Sequence, residues 1–184
     1  MDEISPSENY ERPRINQNID TQRIISVDKF IILSILTFGL YEIWWIYKAW
    51  LFFKQKESND TMPAVRAIFS IFFLYGLLQK ILLFAQEKGY QKDFKPAELY
   101  GCFILTNFLS QLPQPYFLIS LATFIFLLPP FRAFNEAVRN SPEVDVEEQQ
   151  NFSLRHILMI VGGLFLWSSL LMGLSGGLGE LPVK

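Results

Sequence analysis

The chain is poor in the residues that do chemistry. It has one cysteine, Cys102, and one histidine, His156. A lone cysteine cannot close an internal disulfide and says nothing of redox compartment. One His and one Cys far apart in sequence are poor material for a metal site, which needs several convergent ligands. The sequence holds no P-loop, no glycine fingerprint, no nucleophile elbow and no HExxH. These absences point away from an enzyme, and no cofactor is implied. Charge is also scarce, at 18% against roughly 25% in soluble globular domains. A net charge of −2 gives no reason to expect a nucleic-acid partner.

Where charge is missing matters more than how much is missing. Only Glu42 interrupts 30–47, and no charged residue falls in 67–79, 99–131 or 157–179. What fills these stretches is apolar: 51% of the chain is hydrophobic, including 18 Phe. A spanning helix needs about 20 mostly apolar residues to cross a core about 30 Å thick. A soluble fold would need a further layer to cover this surface, and 184 residues leave too little chain to supply it. The expected fold is all-α: a helical integral membrane protein with four to five transmembrane or re-entrant helices, whose first partner is the lipid bilayer.

The expected spans are about 29–50, 65–86, 97–112, 115–130 and 154–177. They lie in a membrane domain 28–178, between a polar tail 1–27 and a short tail 179–184. Residues 1–20 contain no apolar h-region, so the first span is expected to act as an uncleaved signal anchor. The region 97–131 is broken by Pro113 and Pro115 into halves of about 24 Å, short for a full crossing. It reads as two short tilted helices or as a re-entrant hairpin. Pro129-Pro130 is expected to end it, followed by a short interfacial helix at 131–140 and an acidic connector at 141–151.

With five crossings and the N-terminus inside, eleven Lys and Arg lie inside and five outside. The positive-inside rule then gives a cytoplasmic N-terminus and an external C-terminus. The basic linker after the first span (Lys48, Lys54, Lys56, Arg66) argues against that count. It would stay inside only if the first region were a re-entrant hairpin.

On one continuous helix, Ser34, Thr37, Tyr41, Trp44 and Lys48 form a polar stripe, with Glu42 beside it. An intramembrane carboxylate is a functional-site candidate by default. The competing reading is an interfacial Glu held near an aromatic belt of Trp44, Trp45, Tyr47 and Trp50. It outweighs a proton relay. Lys80 is too deep to be the partner, by about 12 Å along an antiparallel helix, which leaves Arg66. Asn107 and Gln111 stand one helical turn apart on the face of Tyr100, suited to interhelical hydrogen bonds or, less simply, to a polar path. Ser169, Gly173 and Gly177 form a small-xxx-small series in the last span, fit for packing within the chain or for dimerisation. His156, beside Arg155, reads as interfacial.

The string LSILTFGLYEIWWIYKAW (33–50) resembles domain of unknown function 4234, a family of small bacterial membrane proteins. There a Thr-x-Gly-x-Tyr run leads into aromatic residues and a basic residue. Thr37, Gly39, Tyr41, Trp45, Tyr47 and Lys48 carry the likeness, and RAIFSIFF (66–73) and the stretch 115–130 extend it over most of 30–140. The resemblance implies a multi-pass protein of the bacterial inner membrane and no reaction or substrate. The expected role is a non-enzymatic structural or interaction component of the envelope that packs with other membrane proteins or itself. The alternative is a small transporter or channel subunit with a polar path at Glu42, Asn107 and Gln111. A membrane enzyme ranks third.

Overall fold

The structure is a computed structural model that describes residues 19–109, 111, 116–149 and 153–178. Among these it is mainly helical, with seven α-helices, one 3₁₀ segment and a two-stranded parallel sheet.

The first apolar stretch is not one helix. In α1 (Val27–Leu36) the Ser26 hydroxyl accepts the Lys29 N–H at 3.4 Å, a side-chain N-cap, and Asp28 sits in the first turn. Ten residues later the chain reverses. Phe38 and Gly39 both take positive φ, 54° and 82°. The Gly39 N–H donates to the Ser34 carbonyl at 2.8 Å and the Phe38 N–H to the Ile35 carbonyl at 3.2 Å. That pair of bonds is a Schellman motif, which closes a helix by satisfying its last carbonyls. The Thr37 hydroxyl accepts the Tyr41 N–H at 2.9 Å and so sets the start of α2 (Leu40–Glu57). The two helices fold back on each other, with the Phe30 ring 5.9 Å from both Tyr41 and Trp45. The expected span 29–50 is therefore a helical hairpin. The stripe of Ser34, Thr37, Tyr41, Trp44 and Lys48 is cut at the reversal, because two successive residues with φ > 0 end the helical ladder.

The second stretch, expected as one span over 65–86, is likewise divided. α3 (Pro63–Ile68) opens on a proline, which loses no helical hydrogen bond there. The chain turns at Phe69 and runs on as α4 (Ser70–Glu87). α5 (Pro96–Leu109) packs on the 3₁₀ segment Tyr116–Thr123, which passes into α6 (Phe124–Arg139). Here the expectation that Pro129-Pro130 ends a region is corrected, since both lie inside α6 and no separate helix starts at 131. Leu127, Phe131, Phe134 and Val138 form one buried stripe across the prolines. That continuous packing offsets the two helical hydrogen bonds the prolines cannot make.

The aromatic core joins these pieces. Phe30 of α1 meets Phe131 of α6 at 4.3 Å. Phe52 of α2 lies 5.2 Å from both Phe84 of α4 and Phe134 of α6. The tail expected over 1–27 is partly structured: β1 (Gln22–Ile24) pairs in parallel with β2 (Val146–Glu148), in register Gln22 to Val146. The acidic connector thus supplies a strand.

The fold has two unlike ends. Ion pairs gather at one: Arg23–Glu147, Arg139–Glu148, Lys56–Glu87, Lys80–Glu57 and Lys88–Glu143. At the other, Phe38, Gly39, Ser70, Asn107, Leu121 and Thr123 line one cavity, which brings the turns after α1 and α3 to the C-terminal half of α5 and the end of the 3₁₀ segment. Each of these turns falls inside an uncharged stretch of sequence, and large apolar side chains are exposed around them, among them Ile35, Leu40, Phe69, Phe72, Leu105 and Phe108.

α7 (Leu154–Leu178) agrees with the expected last span. Its residues Leu154–Gly173 form the one helix among the described residues long and apolar enough to cross a membrane, and only 11% of the residues in its most apolar window are buried within the chain. α7 meets the reversal through Gly163, where an added Cβ would stand 2.1 Å from the Leu36 carbonyl oxygen and 2.5 Å from the Thr37 Cα. Trp167 continues the contact by donating its indole N–H to the Ile35 carbonyl at 3.0 Å.

Candidate functional site

The Thr37–Tyr41 segment that looked like the interior of a span is a device for turning the chain. Thr37 caps, Gly39 supplies the left-handed conformation, and Tyr41 and Trp45 present rings to Phe30. Directly beneath this turn lies Glu42. It is buried, at 5% exposure, and its Oε1 accepts a hydrogen bond from the Thr123 hydroxyl at 3.5 Å. Both residues line the cavity of about 230 Å³ where the turns meet. Asn107 lines it too, with its amide donating to the Phe103 carbonyl at 2.8 Å, and Ser70 faces it from the start of α4.

Other expected partners fall elsewhere. Arg66 does not pair with Glu42: its guanidinium lies over the Trp50 ring, 4.3 Å from the centroid, and 5.6 Å from that of Phe73. The depth argument for that pair assumed a straight helix from 30 to 50, and the hairpin removes the assumption. Lys80 pairs with Glu57. Gln111 is exposed and lies beyond the end of α5, so it shares no helical face with Asn107 and is absent from the cavity wall. Tyr100, the third member of that face, donates its hydroxyl to the Ile71 carbonyl at 2.6 Å.

In α7, Ser169 and Gly173 are exposed, the Ser169 hydroxyl bonds the Phe165 carbonyl of its own helix, and a Cβ on Gly173 would touch nothing. Gly177 is helical, and its surroundings lie outside the described residues. Gly163 is the glycine that packing demands. His156 is buried rather than surface-bound, its ring 5.5 Å from that of Tyr41.

Lys48 and Trp45 are absent from the wall of the Glu42 cavity. They line a second cavity, of about 300 Å³, together with Arg23, Trp44, Arg155 and His156. Sequence reasoning missed Thr123, Ser70 and Arg155 as site residues. Thr123 and Ser70 are small hydroxyls in apolar runs, and their relevance depends on which turns meet. Arg155 is visible as a cation at the head of α7, but its approach to Trp44 needs the hairpin.

Chemically, the Glu42 cavity offers a carboxyl, two hydroxyls and an amide, with no second carboxylate among the described residues. Among the described residues no group of three His, Cys, Asp or Glu converges to hold a metal. The polar contacts at this site tie α2 to the junction of the 3₁₀ segment and α6. No family model matches the chain, and no curated protein and no solved structure matches it either.

Proposed function

We propose that the chain is a non-enzymatic membrane protein of the bacterial inner membrane, of the domain of unknown function 4234 type. In this reading its hairpins enter one leaflet from the cytoplasmic side and α7 crosses the bilayer. It acts as an interaction component of the envelope. The observation that carries the reading is the separation of ends: the turns after α1 and α3 and the C-terminal half of α5 gather with exposed apolar side chains, and the ion pairs gather opposite.

The dimensions agree. α1, at ten residues, reaches about 15 Å, half of a core about 30 Å thick, whereas the 25 residues of α7 reach about 37 Å. The arrangement also removes the conflict in the charge count. If every turn stays in the membrane, the linkers with Lys54, Lys56, Lys88, Lys92, Lys95 and Arg139 share one compartment, as the positive-inside rule asks. The outer face of α7, with Leu158, Val161, Phe165 and Met172 exposed, is then the surface for lipid or a partner helix.

A second reading, a small transporter or channel subunit, draws on Glu42 and Asn107 facing one cavity. Against it, the fully buried Phe30, Ile46 and Phe131 fill the space between that cavity and the polar end. Reconstituted vesicles with and without the protein, tested for proton and cation leak, separate the two: leak abolished by Glu42→Ala favours transport, and no leak favours the interaction protein.

A further inference from the structure

We propose that the cavity between β1, α2 and the head of α7 binds a phosphate-bearing anion, held by Lys48, Arg155 and Arg23 against the indole of Trp44. The inference stands apart from the membrane reading, because it rests on the charge and shape of this cavity alone.

The cavity of about 300 Å³ is at the lower end of ligand-pocket sizes. Arg23, Lys48 and Arg155 line it, and among the described residues no Asp or Glu does. A neighbouring cleft of about 360 Å³ shares Arg23, Trp44, Lys48 and Arg155, and adds Asp20 as its one acid. Asp20 is held in place by the Gln55 amide, which donates to its Oδ2 at 2.6 Å. Arg23 is partly neutralised by Glu147 at 2.8 Å. Lys48 and Arg155 have no acidic partner in salt-bridge range among the described residues, and Arg155 stands 5.7 Å from the Trp44 ring centroid. Lys48 feels the opposite charge of Asp20 first and then the like charges of Arg155 and Arg23.

The three cations outnumber the two acids near them, Asp20 and Glu147, so repulsion between like charges is only partly offset. An anion relieves that repulsion. The acceptor must be compact and carry several oxygens, because a lysine and a guanidinium approach it from different elements; phosphate fits both. The indole wall suits an organic group attached to the phosphate. Two sources share this chemistry: the headgroup of an anionic phospholipid and a soluble phosphate compound.

The test uses the full chain purified in a detergent with a neutral headgroup. Trp fluorescence follows titration with inorganic pyrophosphate, and in parallel with vesicles of phosphatidylcholine with or without phosphatidylglycerol. Binding of pyrophosphate assigns a soluble source, and binding only to phosphatidylglycerol vesicles assigns the headgroup. In either case Lys48→Gln with Arg155→Gln weakens binding about tenfold or more, the scale of lost charge-assisted hydrogen bonds. Lys92→Gln with Lys95→Gln removes the same charge from a loop and leaves binding unchanged. Should the first pair fail to fold, Trp44→Leu reports instead, through a loss of affinity with elution and helicity retained. Absence of binding to both probes, or equal loss in the loop variant, overturns the proposal.

Discussion

Gly163 of α7 lies against the backbone of Leu36, close enough that a single methyl group at its Cα would stand 2.1 Å from the Leu36 carbonyl oxygen. The obstructing atoms are backbone and cannot rotate away. Gly163→Ala is therefore expected to loosen α7 from the hairpin, at a cost of about 1–3 kcal/mol. Gly162→Ala and Gly173→Ala meet nothing within 4 Å, and each is neutral or stabilising by up to about 1 kcal/mol from helix propensity. Thermal unfolding of the three variants in detergent checks the contrast, and equal effects would contradict it.

Gly39 is demanded by conformation rather than by space. The nearest atom a Cβ there would meet is Glu42 Oε1 at 3.7 Å, an ordinary contact, but φ is +82°. Gly39→Ala is expected to cost about 1–2 kcal/mol from the left-handed backbone alone. Phe38 carries a similar conformation and keeps its ring, 5.4 Å from Trp167 and edge-on. Phe38→Ala is expected to lose about 1 kcal/mol of that contact and to shift Trp fluorescence.

Glu42 and Arg66 have different partners, the Thr123 hydroxyl and the Trp50 ring. Arg66→Gln loses stacking on Trp50, about 0.5–2 kcal/mol. Thr123→Val removes the hydroxyl that bonds Glu42, about 1–3 kcal/mol. Double-mutant cycles are expected to show coupling between Glu42→Gln and Thr123→Val, and additivity between Glu42→Gln and Arg66→Gln. Coupling in the second cycle would restore the ion pair that the sequence suggested.

Reporter fusions distinguish hairpins from crossings. With the hairpins confined to one leaflet, reporters at 60, 92 and 145 share a compartment, and one fused after α7 at 184 lies in the other. Five full crossings would instead place 60 and 184 together.

Lys88 and Glu143 form an ion pair at the polar end, with side chains 16% and 27% exposed. Burial alone raises the Glu143 carboxyl, but the hydrogen bond and charge of Lys88, with Lys56 behind it, outweigh burial and hold it below the usual carboxylate range. A lowered folded-state pKa stabilises above the ordinary value of about 4.3 and loses that contribution as pH falls below it. Glu143→Gln should lower stability near neutral pH by roughly 0.5 kcal/mol and match the parent in acid. Melting curves across pH read this out.

Much of the architecture was legible. Apolar runs free of charge gave the helical class, and the length and composition of α7 were correct. The reversal at 37–39 was hidden because Phe38 is a poor signal for a left-handed residue and a single Gly is tolerated inside helices. Once α1 and α2 are joined by mistake, the polar stripe and the Glu42–Arg66 pairing follow from the wrong geometry. Pro129-Pro130 misled in the other direction: local chemistry marks a stop, and the buried stripe through Leu127, Phe131 and Phe134 overrides it. The cavity at Glu42 needed two turns, α5 and the 3₁₀ segment to meet, which no local spacing reports.

The pairing of β1 with β2 has a consequence for biogenesis. Arg23 and Glu147 are 124 positions apart. At about 5–20 residues per second, the first strand waits roughly 6–25 s for its partner to be synthesised. Throughout that interval its edge is open to foreign chains. The polar end thus stays open until β2 is made, and a nascent chain arrested before Val146 is marked by an unsatisfied strand that quality control can recognise.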